Sequence, residues 1–239
     1  MSELKKVIEN LTDKEISQKY EKLMEYKERI LDINKMVNIT RITDPEEFDA
    51  KHYIDSLASC LSPEFKAAAT VIDVGSGGGF PGIPLAVLYP EKDFLLMDSS
   101  GKRMKIVGEI SDDLGINNVR VLHGRAEELG RSSECREKFD VCVSRAVASL
   151  STLCEYCLPF VKPGGCFISY KGPESDEEIA AADTAISVLG GRLDRIENNR
   201  GTMFAGSGNE GHRLIYIMKE KSTPDKYPRG GGKPSKKPL

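Results

Sequence analysis

Residues 70 to 82 constrain the fold more than any other stretch. They run Thr70, Val71, Ile72, Asp73, Val74, Gly75, Ser76, Gly77, Gly78, Gly79, Phe80, Pro81, Gly82. The start is a short β-branched apolar run, which predicts a buried parallel strand. A glycine cluster follows, and then Ile83, Leu85, Ala86, Val87 and Leu88 predict a helix. Strand, tight turn and helix in that order let a ligand approach bare backbone. The helix start also points free N–H groups into the turn.

Two common nucleotide fingerprints are absent. No Lys-Ser/Thr pair follows Gly82, as a triphosphate-binding loop requires. Counted from Gly75, the third glycine of a dinucleotide fingerprint is replaced by Phe80. What remains is Asp73-x-Gly75-x-Gly77-x-Gly79, an acid two residues ahead of alternating glycines. In this the chain resembles the S-adenosylmethionine (SAM) methyltransferases of the Rossmann-like class.

From residue 70 onward strand and helix patterns alternate. Strands are expected at 70–75, 94–98, 119–123, 139–144, 165–170, about 192–197 and 213–219. Helices are expected at 82–89, 101–115, 149–161 and 175–189. The class is therefore α/β, with a seven-stranded and mostly parallel sheet. No helix is expected between the last two strands, which suits a closing antiparallel hairpin whose connection, 198–211, is glycine-rich. Residues 1–62 read as a helical extension, 63–219 as the cofactor-binding core and 220–239 as a basic tail. In the extension, Thr12-x-x-Glu15 is a capping-box candidate. Asp44 followed by Pro45 is a second helix start.

The net charge of −3 is uneven. Residues 219–239 carry +5 and the remainder −8. A basic, proline-spaced tail on an acidic body predicts an extended, poorly packed segment that reaches an anionic partner. With no signal peptide or long apolar run, the chain reads as cytoplasmic, its six cysteines reduced. Cys154-x-x-Cys157 lies on an apolar helical stripe and reads as core. Cys142 lies within a strand and reads as core too. His52 and His212 read as isolated histidines without ligand-type neighbours, and no metal site is expected.

Ligands of open α/β sheets sit at the carboxyl ends of the strands. The first strand ends at Gly75–Gly79. The second ends at Asp98, 19 residues after Gly79, close to the spacing of an acid that accepts from ribose hydroxyls. In methyltransferases the residues after the third strand hold adenine, and Ala126 and Glu127 fill that place. The fourth strand ends at Arg145, suited to stack on a base or bind an anion. The fifth ends at Lys171, a candidate for phosphate. After the fourth strand, Ser144-Arg145-Ala146-Val147 lacks the Asn/Asp-Pro-Pro-Tyr/Phe motif of exocyclic-amine methylation. With no cysteine poised for covalent attack either, a nucleophile with a ready lone pair is expected, such as a purine N7.

The whole chain resembles the RsmG (GidB) family of bacterial ribosomal RNA methyltransferases. The matching residues are Asn38–Ile42, His52–Leu57, Asp73–Pro84, Lys102-Arg103, Gly124–Glu127 and Ser144–Ala146. The tail matches at Lys226–Arg229 and Pro234–Leu239, while Gly230–Gly232 departs from the family's usual tail. The resemblance implies SAM-dependent methylation of guanine N7 in 16S (small-subunit) ribosomal RNA, and a monomer is expected. The resemblance implies SAM contacts at Gly75, Phe80, Asp98, Ala126, Glu127 and Arg145, to which the glycine turn adds Gly77 and Gly79 as cofactor-binding candidates. RNA contacts are expected at Lys102, Arg103, Lys171, Lys226, Arg229, Lys236 and Lys237, with Arg145 positioning the target base. Two rival functions share these residues: a small-molecule methyltransferase and a SAM-sensing RNA-binding protein without catalysis.

Overall fold

The computed structural model describes residues 2–145, 147–198 and 211–239. In chain order the first helices are α1 (Glu3–Leu11), α2 (Ile16–Asn34), α3 (Pro45–Phe48) and α4 (Pro63–Ala67). A π-helical turn at Asp49–Ile54 and a 3-10 turn at Leu57–Leu61 separate the last two. Then come β1 (Thr70–Val74), α5 (Gly82–Leu88), β2 (Asp93–Asp98), α6 (Gly101–Asp113) and β3 (Val119–His123). Next are α7 (Ala126–Leu129), β4 (Phe139–Arg145), α8 (Leu150–Cys157) and β5 (Val161–Lys171). The chain closes with α9 (Asp176–Ala181), α10 (Asp183–Val188), β6 (Gly191–Asn198), β7 (Arg213–Lys219) and α11 (Lys233–Lys236). The glycine-rich connection between β6 and β7 lies, over 199–210, outside the described residues.

The seven strands form one sheet in the order β3-β2-β1-β4-β5-β7-β6. β1 to β5 are mutually parallel, and β7 inserts antiparallel between β5 and β6. Chain order reverses between β1 and β4, which places the switch point beside the Gly75–Gly79 turn. Alternate residues of each strand feed two cores. Val71, Val141 and Val143 join the face covered by α1, α2, α5 and α6, while Ile72 and Cys142 join the face covered by α8 and α10.

The Thr12–Glu15 capping box does not form. Leu4, Val7 and Ile8 are buried and make an amphipathic helix of their own, and Thr12 closes it, its N–H bonded to Ile8 O. Glu15 then sits at φ 52 and caps nothing. At Asp44 the expected cap is present: its side chain accepts from the N–H groups of Glu46 and Glu47. The helix expected at 175–189 is divided by a turn at Ala182. β5 begins at Val161, four residues ahead of its expected start.

The largest departure is the tail, which is packed rather than extended. Tyr227 is buried. Arg131 donates to Pro228 O, and Arg136 donates to Thr223 O and Tyr227 O. Carbonyls of a proline-rich segment have no ladder partner, and arginines from the body satisfy them here. Arg229 forks onto the fully buried carboxylate of Glu155, at 2.6 Å for its shortest contact. A charge-assisted fork onto a desolvated carboxylate is the strongest hydrogen-bonding arrangement an arginine makes, and it outweighs the tail's net charge in deciding where the segment goes.

Candidate active site

The carboxyl ends of β1, β2 and β4 surround a cavity of about 510 Å³, within the usual range for small-ligand pockets. The glycine turn forms its floor, and its glycines divide by role. A Cβ on Gly79, at φ +90, would lie 2.6 Å from Ile83 and from the Tyr26 hydroxyl, so that glycine permits close packing. A Cβ on Gly77, at φ +57, would meet nothing within 4 Å, so its bare backbone opens onto the cavity. Tyr26, a residue of α2 without any sequence motif, donates to Gly78 O at 2.9 Å and braces the turn from behind.

Asp98 ties the turn to the next strand. One carboxylate oxygen accepts from Gly77 N at 3.0 Å and the other from Ser100 N at 2.8 Å. Ser100 itself caps α6, accepting from Arg103 N. Each carboxylate oxygen can accept a further hydrogen bond. Asp73 is buried in the strand below. One of its oxygens accepts from Gly82 N at 2.8 Å, and the other has no protein partner among the described residues. Burial drives its pKa up to about 7, against the Gly82 hydrogen bond and the charge of Arg145.

Of the expected cofactor residues, Gly75, Gly77, Phe80, Asp98, Ala126, Glu127 and Arg145 line the cavity; Gly79 stands behind it. Of the expected RNA residues only Arg103 lines it. Lys102, Lys226, Lys236 and Lys237 are exposed elsewhere on the surface. Lys171 and Arg229 are otherwise committed. Lys171 binds Ala148 O and Glu178, and Arg229 binds Glu155. Ile39, Thr40, His52 and Arg125, which lie in family-matching segments without an expected ligand contact, also line the cavity, as do Val147 and Tyr156, which no motif marks.

His52 and His212 are not isolated but belong to one network. Asp55, 4% exposed at its side chain, binds Arg145 at 2.9 Å and His212 at 2.8 Å. Arg145 also donates to Lys51 O and meets His52 Nδ1. His52 stacks on Phe80 with centroids 4.4 Å apart and planes 9° apart. Arg145 lies over the same ring, 5.8 Å from its centroid. Burial pushes Asp55 up, but its hydrogen bond to His212 and the charge of Arg145 outweigh this and hold it below the ordinary carboxylate value. The sequence signal for this network was the His52–Leu57 segment, which carries both His52 and Asp55. Its link to His212 and Arg145 is purely tertiary. All six cysteines are unpaired and buried, Cys142 among them.

A Rossmann-like sheet with a glycine turn at its switch point and an acid at the end of the neighbouring strand is the architecture of the Rossmann-like methyltransferase class. Solved structures share the fold. An O-methyltransferase from Bacillus cereus in complex with SAH superposes with a TM-score of 0.56 at 18% identity, covering 81% of this chain and 90% of that one. A SAM-dependent methyltransferase from Aquifex aeolicus gives 0.52 at 18% identity, covering 74% and 94%. Residues 19–202 match the family described as GidB, rRNA small subunit methyltransferase G. Curated members called ribosomal RNA small subunit methyltransferase G are similar over 92% of the chain. That from Alkaliphilus metalliredigens is 48% identical over 90% of its own length, and that from Clostridium novyi is 45% identical over 89%. The chain belongs to the rRNA small subunit methyltransferase G family.

Proposed function

We propose that this protein transfers the methyl group of SAM to N7 of a guanine in 16S ribosomal RNA. The observation that carries the cofactor assignment is the joint of Gly77 and Asp98, an open backbone and an acid facing one cavity. Asp98 would hold the ribose hydroxyls and Glu127, with Ala126, the adenine. Bound SAM supplies an electrophilic methyl on a sulfonium, which a purine N7 lone pair can attack without first losing a proton. The protein's own work is then alignment and exclusion of water. Phe80, Val147 and Ile39 give the cavity its apolar walls. Arg145, clamped by Asp55 and resting over Phe80, offers a preorganised cation to orient the base.

RNA specificity is supported by charge placement. Arg103, Arg125 and Arg145 converge on the cavity, and the tail lysines stand exposed beyond it. Such cations position a phosphate backbone, while the pocket selects the base. On this reading the protein works as a monomer in the cytoplasm, with 63–219 as its cofactor-binding core. Labelled SAM incubated with small ribosomal subunits and with naked ribosomal RNA, followed by mapping of the modified base, tests the proposal. Label at a guanine N7 is the expected result. Label only on small molecules, or RNA binding without transfer, would overturn it.

A further inference from the structure

Glu127 is 4% exposed and lines the cavity. Its Oε1 accepts from Gly232 N at 3.2 Å, across 105 residues of sequence. The one cationic partner it has within salt-bridge distance among the described residues is Arg125, at 3.8 Å from the same oxygen and itself 63% exposed. Gly232 takes φ +70 immediately before α11, a conformation that aims its N–H back toward the body and that L-residues adopt only with strain. The segment is anchored on both sides of this hydrogen bond. Upstream, Arg229 forks onto Glu155 and also donates to Lys237 O. Downstream, Thr152 donates to Pro234 O at 3.1 Å. Tyr156 lines the cavity from α8, and within the tail segment Ser235 donates to Gly232 O at 3.1 Å.

We propose that residues 230–237 buttress the cofactor pocket from behind its lining, with the Gly232 amide as a positioning group for Glu127. The proposal rests on the assignment of this pocket to SAM. A nearly buried carboxylate needs donors to stay in one orientation. Here the fixed donor is a backbone amide, held by a segment stapled through a buried ion pair. Without it Glu127 regains rotamer freedom and is no longer aimed before the ligand arrives, and binding then includes the cost of ordering it. The tail thereby serves the adenine end of the pocket, while Lys233, Lys236 and Lys237 point into solvent from the same segment.

A chain ending at Arg229 keeps Tyr227 and the Arg229–Glu155 fork but lacks Gly232. Calorimetry should show it binding S-adenosylhomocysteine about tenfold more weakly than the full chain, the scale of one hydrogen bond to a charged acceptor. Methylthioadenosine, which keeps adenine and ribose but lacks the amino-acid end, should weaken by the same factor. In a Glu127→Ala background the truncation should cost nothing further, because the tail acts through that carboxylate. Unchanged S-adenosylhomocysteine affinity in the truncated chain overturns the proposal, and so does a weakening that adds fully to that of Glu127→Ala. If the truncated chain does not fold, deuterium exchange of the intact protein decides. S-adenosylhomocysteine should slow exchange across 230–237, and unaltered exchange there overturns the proposal. Failure of the full chain to bind S-adenosylhomocysteine at all would instead overturn the cofactor assignment itself.

Discussion

Nη2 of Arg145 lies 3.2 Å from Nδ1 of His52. A guanidinium can only donate, so Nδ1 is the acceptor and the imidazole proton sits on Nε2. Nε2 in turn is 2.7 Å from Thr40 Oγ1. His52 is therefore one fixed, neutral tautomer stacked on Phe80, and it extends the Arg145 platform rather than supplying a proton. Its pKa falls to about 3, first because it is buried and then because Arg145 is charged.

Arg145→Gln should consequently raise the His52 pKa, but not back to 6.5, because burial is the larger cause. The same change removes a cation that holds the His212 pKa down. An NMR titration of the two imidazoles reads both shifts. If neither moves, the Arg145–His52 hydrogen bond does not exist in solution. Turnover should fall more than bulk RNA affinity, since Arg145 touches the cavity and not the outer surface.

Asp98→Ala should cost about 1.5–3 kcal/mol of S-adenosylhomocysteine binding by removing charge-assisted hydrogen bonds. It also leaves the Gly77 and Ser100 amides without the acceptor they use now. Asp98→Asn retains a carbonyl oxygen for one of them and should fall between Ala and wild type. Calorimetry on folded proteins that gave Asp98→Ala full affinity would remove Asp98 from the ribose site.

Asp73 predicts a pH dependence of stability. Its folded pKa is about 7 against an ordinary 3.8, so the folded state binds the proton more tightly. The contribution is complete below pH 3.8 and is lost as pH rises through 7, on the order of 2–4 kcal/mol. His212 acts in the same direction over a higher window. Its raised pKa stabilises below 6.5, and that contribution disappears above it. Asp73→Asn should flatten the dependence of stability on pH between about 4 and 7, and His212→Gln should flatten it only from about 6.5 upward. Thermal unfolding measured at intervals across that range checks both, and an unaltered slope in Asp73→Asn excludes Asp73 as its source.

The sheet was legible because apolar β-branched runs and glycine punctuation are local signals. So was the spacing from the glycine turn to Asp98, which the topology imposes. The Asp55 network was not legible, since its members lie at 52, 55, 145 and 212 and meet only after the sheet closes. The tail misled for a different reason. Its lysines and prolines are those of a solvated linker. Two residues, Arg229 and Tyr227, override that composition, because the body offers one a buried carboxylate and the other an apolar slot.

The packed tail separates two kinds of cation within one segment. Arg229 is structural. Arg229→Met would leave Glu155 buried and unpaired, and breaking a buried pair in this way costs about 3–5 kcal/mol. Lys233, Lys236 and Lys237 are exposed. Replacing these three with Gln should leave thermal stability within about 0.5 kcal/mol. If they meet RNA phosphates, removing each lysine–phosphate pair should flatten the plot of log affinity against log salt by about 0.7–0.9. S-adenosylhomocysteine affinity should be unchanged, because the Gly232 amide remains in place. Filter binding of ribosomal RNA across a salt series tests this. An unchanged slope in the triple variant would confine the tail to its role in packing and in bracing Glu127, and the RNA path would then have to follow Arg103 and Arg125 at the cavity rim.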